Sequence, residues 1–87
     1  MSPAQVGLLQ RLIAADRSYR SRREAGETAL QSQRGIEIGA FNGVDPRTAR
    51  SLEDAGLAEA IDPGVNGRPF LFLGRYEPFD DAEAPTG

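Results

Sequence analysis

The 87-residue sequence predicts a small α+β fold of two to three helices followed by a C-terminal β-hairpin. Three observations carry that expectation. One stretch, residues 45–57, has a complete set of helix punctuation. The first fifteen residues repeat apolar side chains at helical spacing. Residues 57–74 alternate apolar and polar around two turn signals.

Residues 45–57 read D-P-R-T-A-R-S-L-E-D-A-G-L and predict a helix over 45–56. Asp45 stands at the N-cap as a side-chain acceptor. Pro46 follows at the first helical position, where its missing N–H costs nothing. Gly56 sits where a left-handed residue closes a helix, with Leu57 as the apolar partner beyond it. Ala49 and Leu52, three apart, form one apolar stripe that Leu57 closes. Arg47, Thr48, Arg50 and Ser51 project from the other side. A short, sharply capped helix with an Arg/Thr/Ser face has the shape of an element that reads a groove.

The chain opens with Ser2-Pro3-Ala4-Gln5, a capping box with proline at the first helical position. Val6, Leu8, Leu9, Leu12 and Ile13 then give a wide apolar face and predict a core helix running to about Ala15 or Asp16. Residues 17–34 have few apolar side chains. They read either as an exposed Arg-rich loop followed by a short helix near 27–33, which helix formers such as Glu27 and Leu30 favour, or as a hairpin turning at Ala25-Gly26. In I-E-I-G-A-F, Ile36 and Ile38 alternate with Glu37 as in a strand, although Ile38 and Phe41 could equally face one side of a helix. Asn42-Gly43 is a turn on either reading.

Residues 57–61, L-A-E-A-I, alternate as a half-buried strand does. Residues 68–74, R-P-F-L-F-L-G, supply its partner across a tip at 63–67. Pro69 cannot donate to a ladder, which predicts an edge on its side. Tyr76 and Phe79 are expected to fold back over the core. The expected division is a domain over 1–76 and an acidic, disordered tail over 77–87.

No cysteine and no histidine is present, which removes disulfides, thiolate metal sites, the commonest general base and the commonest transition-metal ligand. No apolar run approaches the ~20 residues of a membrane span, and no signal-peptide core precedes the first polar residues. A cytoplasmic protein is the expectation. The net charge of −3 is unevenly spread. Residues 1–34 hold six arginines against three carboxylates, residues 35–75 hold four against six, and residues 76–87 hold four carboxylates and no base. All ten basic residues are arginine, the better bidentate partner of phosphate and base edges, although a GC-rich genome produces the same bias.

Ile38, Gly39, Gly43, Val44, Ala49 and Leu52 resemble the helix–turn–helix pattern of an apolar residue, a small residue, a turn glycine, an apolar residue and two core positions. Residues 44–49 followed by L-E-D-A-G-L are similar to the recognition helix that leads into the wing of winged helix–turn–helix domains, including many small bacterial and phage proteins. Asn42 departs from the pattern, which has an apolar residue there, and with the strand-like I-E-I-G it leaves the helix before the turn open. The resemblance spans roughly residues 36–74.

It implies a duplex DNA-binding protein, a transcriptional regulator or accessory architectural factor, acting as a homodimer. Helix 45–56 would enter the major groove and hairpin 57–74 would be the wing. Arg47, Thr48, Arg50 and Ser51 would meet base edges or phosphates. Arg68 would reach an adjacent minor groove or phosphate. Arg17, Arg20, Arg22 and Arg23, with Tyr19 among them, would supply sequence-independent attraction.

Plainer readings stand beside these. Arg47 and Arg50 could be a solvated face paired with Glu53 or Asp54, Arg68 could merely flank a turn, and 17–23 could be a solvated loop. The alternative function is a winged-helix module that binds a basic or apolar protein partner. No enzyme activity, metal or small-molecule cofactor is implied. Asp80-Asp81 lie in the expected tail, Glu53 and Asp54 point to different sides of a helix, and no phosphate loop or Ser/His/Asp set occurs.

Overall fold

The computed structural model describes residues 1–62 and 67–75. It contains two α-helices and a three-stranded antiparallel sheet, in the order α1 (Pro3–Glu24), a 3-10 turn (Gln31–Arg34), β1 (Gly35–Glu37), a second 3-10 turn (Ala40–Asn42), α2 (Pro46–Asp54), β2 (Ala58–Ile61) and β3 (Phe70–Leu73). The expected tail, Tyr76, Phe79 and most of the hairpin tip (63–66) lie outside the described residues.

α1 begins as its capping box dictates, with the Gln5 N–H donating to Ser2 Oγ at 3.2 Å and the Ser2 N–H to Gln5 Oε1 at 2.6 Å. It does not stop at Ala15 or Asp16 but runs for 22 residues, so the Arg-rich segment 17–23 is helix and not loop. Local interactions extend it where an apolar stripe does not. Arg20 Nε donates to Asp16 at 2.8 Å one turn back, and Arg22 and Arg23 lie in the last turn, where cations favour the helix dipole. Tyr19, only 1% exposed, is buried against the chain and not displayed among the arginines. Ala25-Gly26 ends the helix instead of turning a hairpin. Gly26 has φ +81°, its N–H donates to the Arg23 carbonyl, and the Glu27 N–H donates to the Arg22 carbonyl at 2.9 Å, a Schellman closure.

The apolar face of α1 is narrower than its sequence suggests. Leu8 and Leu12 are buried, whereas Val6 and Ile13 are 39% and 38% exposed at its margins.

The short helix expected near 27–33 is absent. Residues 27–30 have no regular structure, and the 3-10 turn over 31–34 follows. This stretch lacks an apolar side to bury, and Leu30 is exposed. Its anchor is Arg34, which is buried, with Nε 3.6 Å from Asp16 and its guanidinium 5.9 Å from the Tyr19 ring centroid. The return of the chain along α1 delivers β1 to the sheet, so the strand reading holds for Ile36 and Glu37, while Ile38 lies one residue beyond the strand.

β3 lies between β1 and β2. Pro69 therefore does not mark an edge. It precedes the first paired residue of the central strand, so its missing N–H falls outside the ladder, and its carbonyl accepts from the Ile38 N–H at 3.1 Å. The register puts Ile36, Leu71 and Ala60 side by side across the three strands, and Glu37, Phe70 and Ile61 form the next such row. By alternation Leu71, Leu73, Ala58, Ala60 and Ile36 share the face turned to the helices. Leu8, Leu12, Val44, Ala49, Leu52, Ala58 and Leu71 make the core between them.

Gly35 pairs with Phe72, and its bare Cα permits that approach. A Cβ there would collide with the Leu71 carbonyl oxygen and lie 2.8 Å from Phe72 Cδ1. Gly35→Ala is therefore expected to lower stability by about 1–3 kcal/mol, the range for forced overpacking. Thermal or urea denaturation followed by circular dichroism measures this, and an unshifted midpoint would refute the close approach of β1 to β3.

Candidate nucleic-acid interface

α2 forms as its punctuation predicts. Asp45 Oδ1 accepts from the Arg47 N–H at 2.9 Å, and Pro46 occupies the first helical position. At the other end Gly56 has φ +76°, its N–H donates to the Glu53 carbonyl, and the Leu57 N–H donates to the Leu52 carbonyl, both at 2.9 Å. Ala49 and Leu52 are sealed into the core. Successive helical residues are about 100° apart, so Arg47 and Arg50 point away from that core side. Both are exposed, Arg50 at 78%, with its Nε 3.8 Å from Asp54 Oδ1. A pair so exposed and so long adds little stability and leaves the guanidinium available.

The other predicted residues are placed differently. Thr48 is half-buried on the flank of α2 that faces α1. There it lines a cleft of about 340 Å³ with Ala4, Gly7, Leu8, Arg11, Gly43 and Asp45. Ser51 is half-buried and donates its hydroxyl to the Arg47 carbonyl at 3.1 Å, one turn back, so it serves the helix backbone. Arg68 is exposed but donates to Glu37 Oε2 at 2.9 Å, across the β1–β3 side of the sheet. The hydrogen bond and charge of Glu37 raise the Arg68 pKa further above its ordinary value.

Arg17, Arg20, Arg22 and Arg23 lie on the second half of α1, whereas α2 borders the cleft at residues 4–11. At 1.5 Å per residue, Arg20 is about 18 Å along the axis from Leu8. Two of the four are engaged, Arg20 with Asp16, and Arg23 with the Tyr19 hydroxyl at 3.1 Å and its ring at 5.9 Å. The predicted site thus divides into an arginine face on α2, a distant basic helix end and an ion-paired Arg68.

Two residues that the sequence did not single out shape this region. Arg11 donates to the Asn42 carbonyl at 2.8 Å and to the Gly43 carbonyl at 3.3 Å, which ties the turn before α2 to α1. A polar residue inside an apolar helix repeat carries no signal of such a partner. Phe41, which the helix reading of this stretch puts on an apolar side with Ile38, is wholly exposed. Among the described residues no group of three His, Cys, Asp or Glu is arranged to hold a metal, and no helix is long and apolar enough to cross a membrane.

Arg11→Met keeps the aliphatic stem and removes both hydrogen bonds. The expected result is a loss of about 1–2 kcal/mol in denaturation and faster amide exchange at Asn42 and Gly43, while the α1 amides stay protected. Unchanged exchange at the turn would show that Arg11 does not hold it. Comparison with protein-family models, curated proteins and solved structures finds no match to this chain.

Proposed function

We propose that this protein binds duplex DNA as a small winged helix–turn–helix domain, with α2 in the major groove and the β2–β3 hairpin as its wing. The observation that carries the reading is the arginine face of α2. Arg47 and Arg50 stand on the wet side of a capped helix whose opposite side is fixed by Ala49 and Leu52. The element order supports it as well, with a strand before α2 pairing beside the hairpin that follows. In this chain the helix before the turn has shrunk to the 3-10 turn Ala40–Asn42, because Gly39 at φ +154° and Gly43 at φ +67° break any helix there.

Roles follow from geometry. Arg47 and Arg50 are the base-reading pair, since bidentate contact of arginine with guanine O6 and N7 is the commonest specific pairing. Thr48, on the flank, suits a phosphate. Arg17 and Arg22 add sequence-independent attraction from the exposed part of α1, whereas Ser51 and Arg68 act within the fold. The activity is that of a regulator or architectural factor.

Arg47→Ala and Arg50→Ala are each expected to weaken binding to a selected duplex by about 1–3 kcal/mol with no loss of thermal stability, because neither side chain packs on the core. The wild-type log–log salt slope should be about −0.9 per phosphate contacted. Mobility shifts at two salt concentrations read both quantities. Shifts that are the same for both variants and the wild type, with a shallow salt dependence, would favour a protein partner instead.

A further inference from the structure

Residues 39–44, G-A-F-N-G-V, form a small closed loop. Gly39 and Val44 exchange two backbone hydrogen bonds of 3.0 Å. Inside that bridge the Asn42 N–H donates to the Gly39 carbonyl at 3.1 Å and the Gly43 N–H to the Ala40 carbonyl at 3.0 Å. From below, the Arg11 guanidinium grips the Asn42 and Gly43 carbonyls. Val44 is sealed in the core at the base of the loop, and Asp45, the cap of α2, is the next residue. Two glycines in conformations that side chains rarely adopt complete the constraint. The backbone of this tip is therefore held from several directions.

What the tip presents is Phe41, with a relative accessibility of 103%. Among the described residues none covers the ring, and its neighbours Ala40, Asn42 and Gly43 are small and exposed. An aromatic side chain on a loose loop would fold down onto the nearest apolar surface. Here the constrained backbone holds it away. Of the immediate chain neighbours only Ala40 adds exposed apolar surface, and that is one methyl group. The tip has the shape of a blade. Residues 38–44 carry no charged side chain, and the guanidinium of Arg11 stands at their base. The adjacent carboxylate, Asp45, is engaged in capping α2, and the tip itself turns no charge toward a polyanion.

We propose that Phe41 is an apolar wedge that inserts against a base step of the duplex beside the site read by α2. The proposal rests on the DNA-binding reading and names what that site selects. A helix entering the major groove by its N-terminal end brings Asp45, and the tip next to it, to the DNA surface. Insertion of a phenyl ring partly unstacks one step and bends the duplex. The deformation is easiest at flexible pyrimidine–purine steps, so the protein would prefer TA or CA/TG at a fixed distance from the arginine-contacted bases without hydrogen-bonding to them.

The test uses the full chain, a pool of random-sequence duplexes for selection, and the selected duplex carrying 2-aminopurine at the flanking step. Wild type, Phe41→Ala, Phe41→Leu and Arg47→Ala are compared. Phe41→Ala should melt as the wild type does, since the ring is fully exposed. It should bind the selected duplex about tenfold more weakly, lose the 2-aminopurine fluorescence rise and the bend, and lose the flanking-step preference. Phe41→Leu, still apolar, should keep part of each.

If Phe41→Ala selects the same sequences with the same bend while Arg47→Ala weakens binding, the wedge is overturned and the DNA reading stands. If the wild type shifts no duplex, both fall. Loss of self-association in Phe41→Ala with unchanged DNA behaviour would also overturn the wedge and assign the ring to a protein surface.

Discussion

The arrangement depends on a single apolar seam in which Leu8 and Leu12 of α1 meet Val44, Ala49, Leu52 and Leu71. α2 has nine residues, short of the 12–15 or so at which isolated helices become even marginally stable in water. Its caps make it the best local solution, but burial of Leu52 and Ala49 makes it persist. Each fully buried leucine contributes about 1.5–3 kcal/mol, more than any surface ion pair on this helix. The direction of Arg47 and Arg50 is therefore a consequence of packing. Once Ala49 and Leu52 face the seam, residues about half a turn away must face water. A change that loosened the seam would cost the arginine face its orientation before it touched an arginine.

The far end of the molecule solves a different problem. The second half of α1 has no apolar stripe, yet it continues for two more turns. Tyr19 supplies the one large apolar contact, Arg34 lies buried near it, and Asp16 sits within reach of both Arg20 and Arg34. A buried guanidinium is costly unless a charge or an aromatic face meets it, and Asp16 and the Tyr19 ring do so here. The cluster holds the return segment against α1 and so fixes where β1 joins β3. Its arginines are structural first, which is why an Arg-rich stretch need not be a nucleic-acid site.

Much of what the sequence revealed was set by local chemistry, and most of what it concealed was set by partners distant along the chain or by a short side chain turning to its own helix. The caps of α1 and α2, the Gly56-Leu57 closure and the strand at residues 58–61 follow from side chains within a few residues of each other. The same closing signal stands at Ala25-Gly26, after Arg22 and Arg23, and would have given the true end of α1. In the sequence, however, the same dipeptide reads as a hairpin turn, because apolar periodicity is lost after Asp16. The edge inferred from Pro69 failed because that inference needs the proline inside a ladder, and here the ladder begins one residue later. For the candidate site, Arg47 and Arg50 were legible from helix periodicity. Ser51, Arg68 and Arg11 were not, because their partners are the helix's own backbone, a strand 31 residues away and a turn 31–32 residues away.

The distribution of satisfied charge bears directly on how a chain of net charge −3 could attract a polyanion. Arg11, Arg20, Arg23, Arg34 and Arg68 are each engaged by acceptors of the chain itself. Glu37 and Glu59 share the face of the sheet turned away from the helical core, and Asp45 is committed to capping α2. Arg47 has no side-chain partner among the described residues, and Arg50 has only a long, exposed one. The field that a ligand meets is set by such local imbalance and not by the overall sum. α2 as a whole balances Arg47 and Arg50 against Glu53 and Asp54, but the two arginines stand in its first turns and the two carboxylates at its last, so the arginine end lies on a rigid element beside a fixed apolar tip. A guanidinium pair can fix position and sequence, and an uncharged ring can sense deformability. In the proposed complex these would be separable ways of reading one duplex, carried by neighbouring parts of the same short segment.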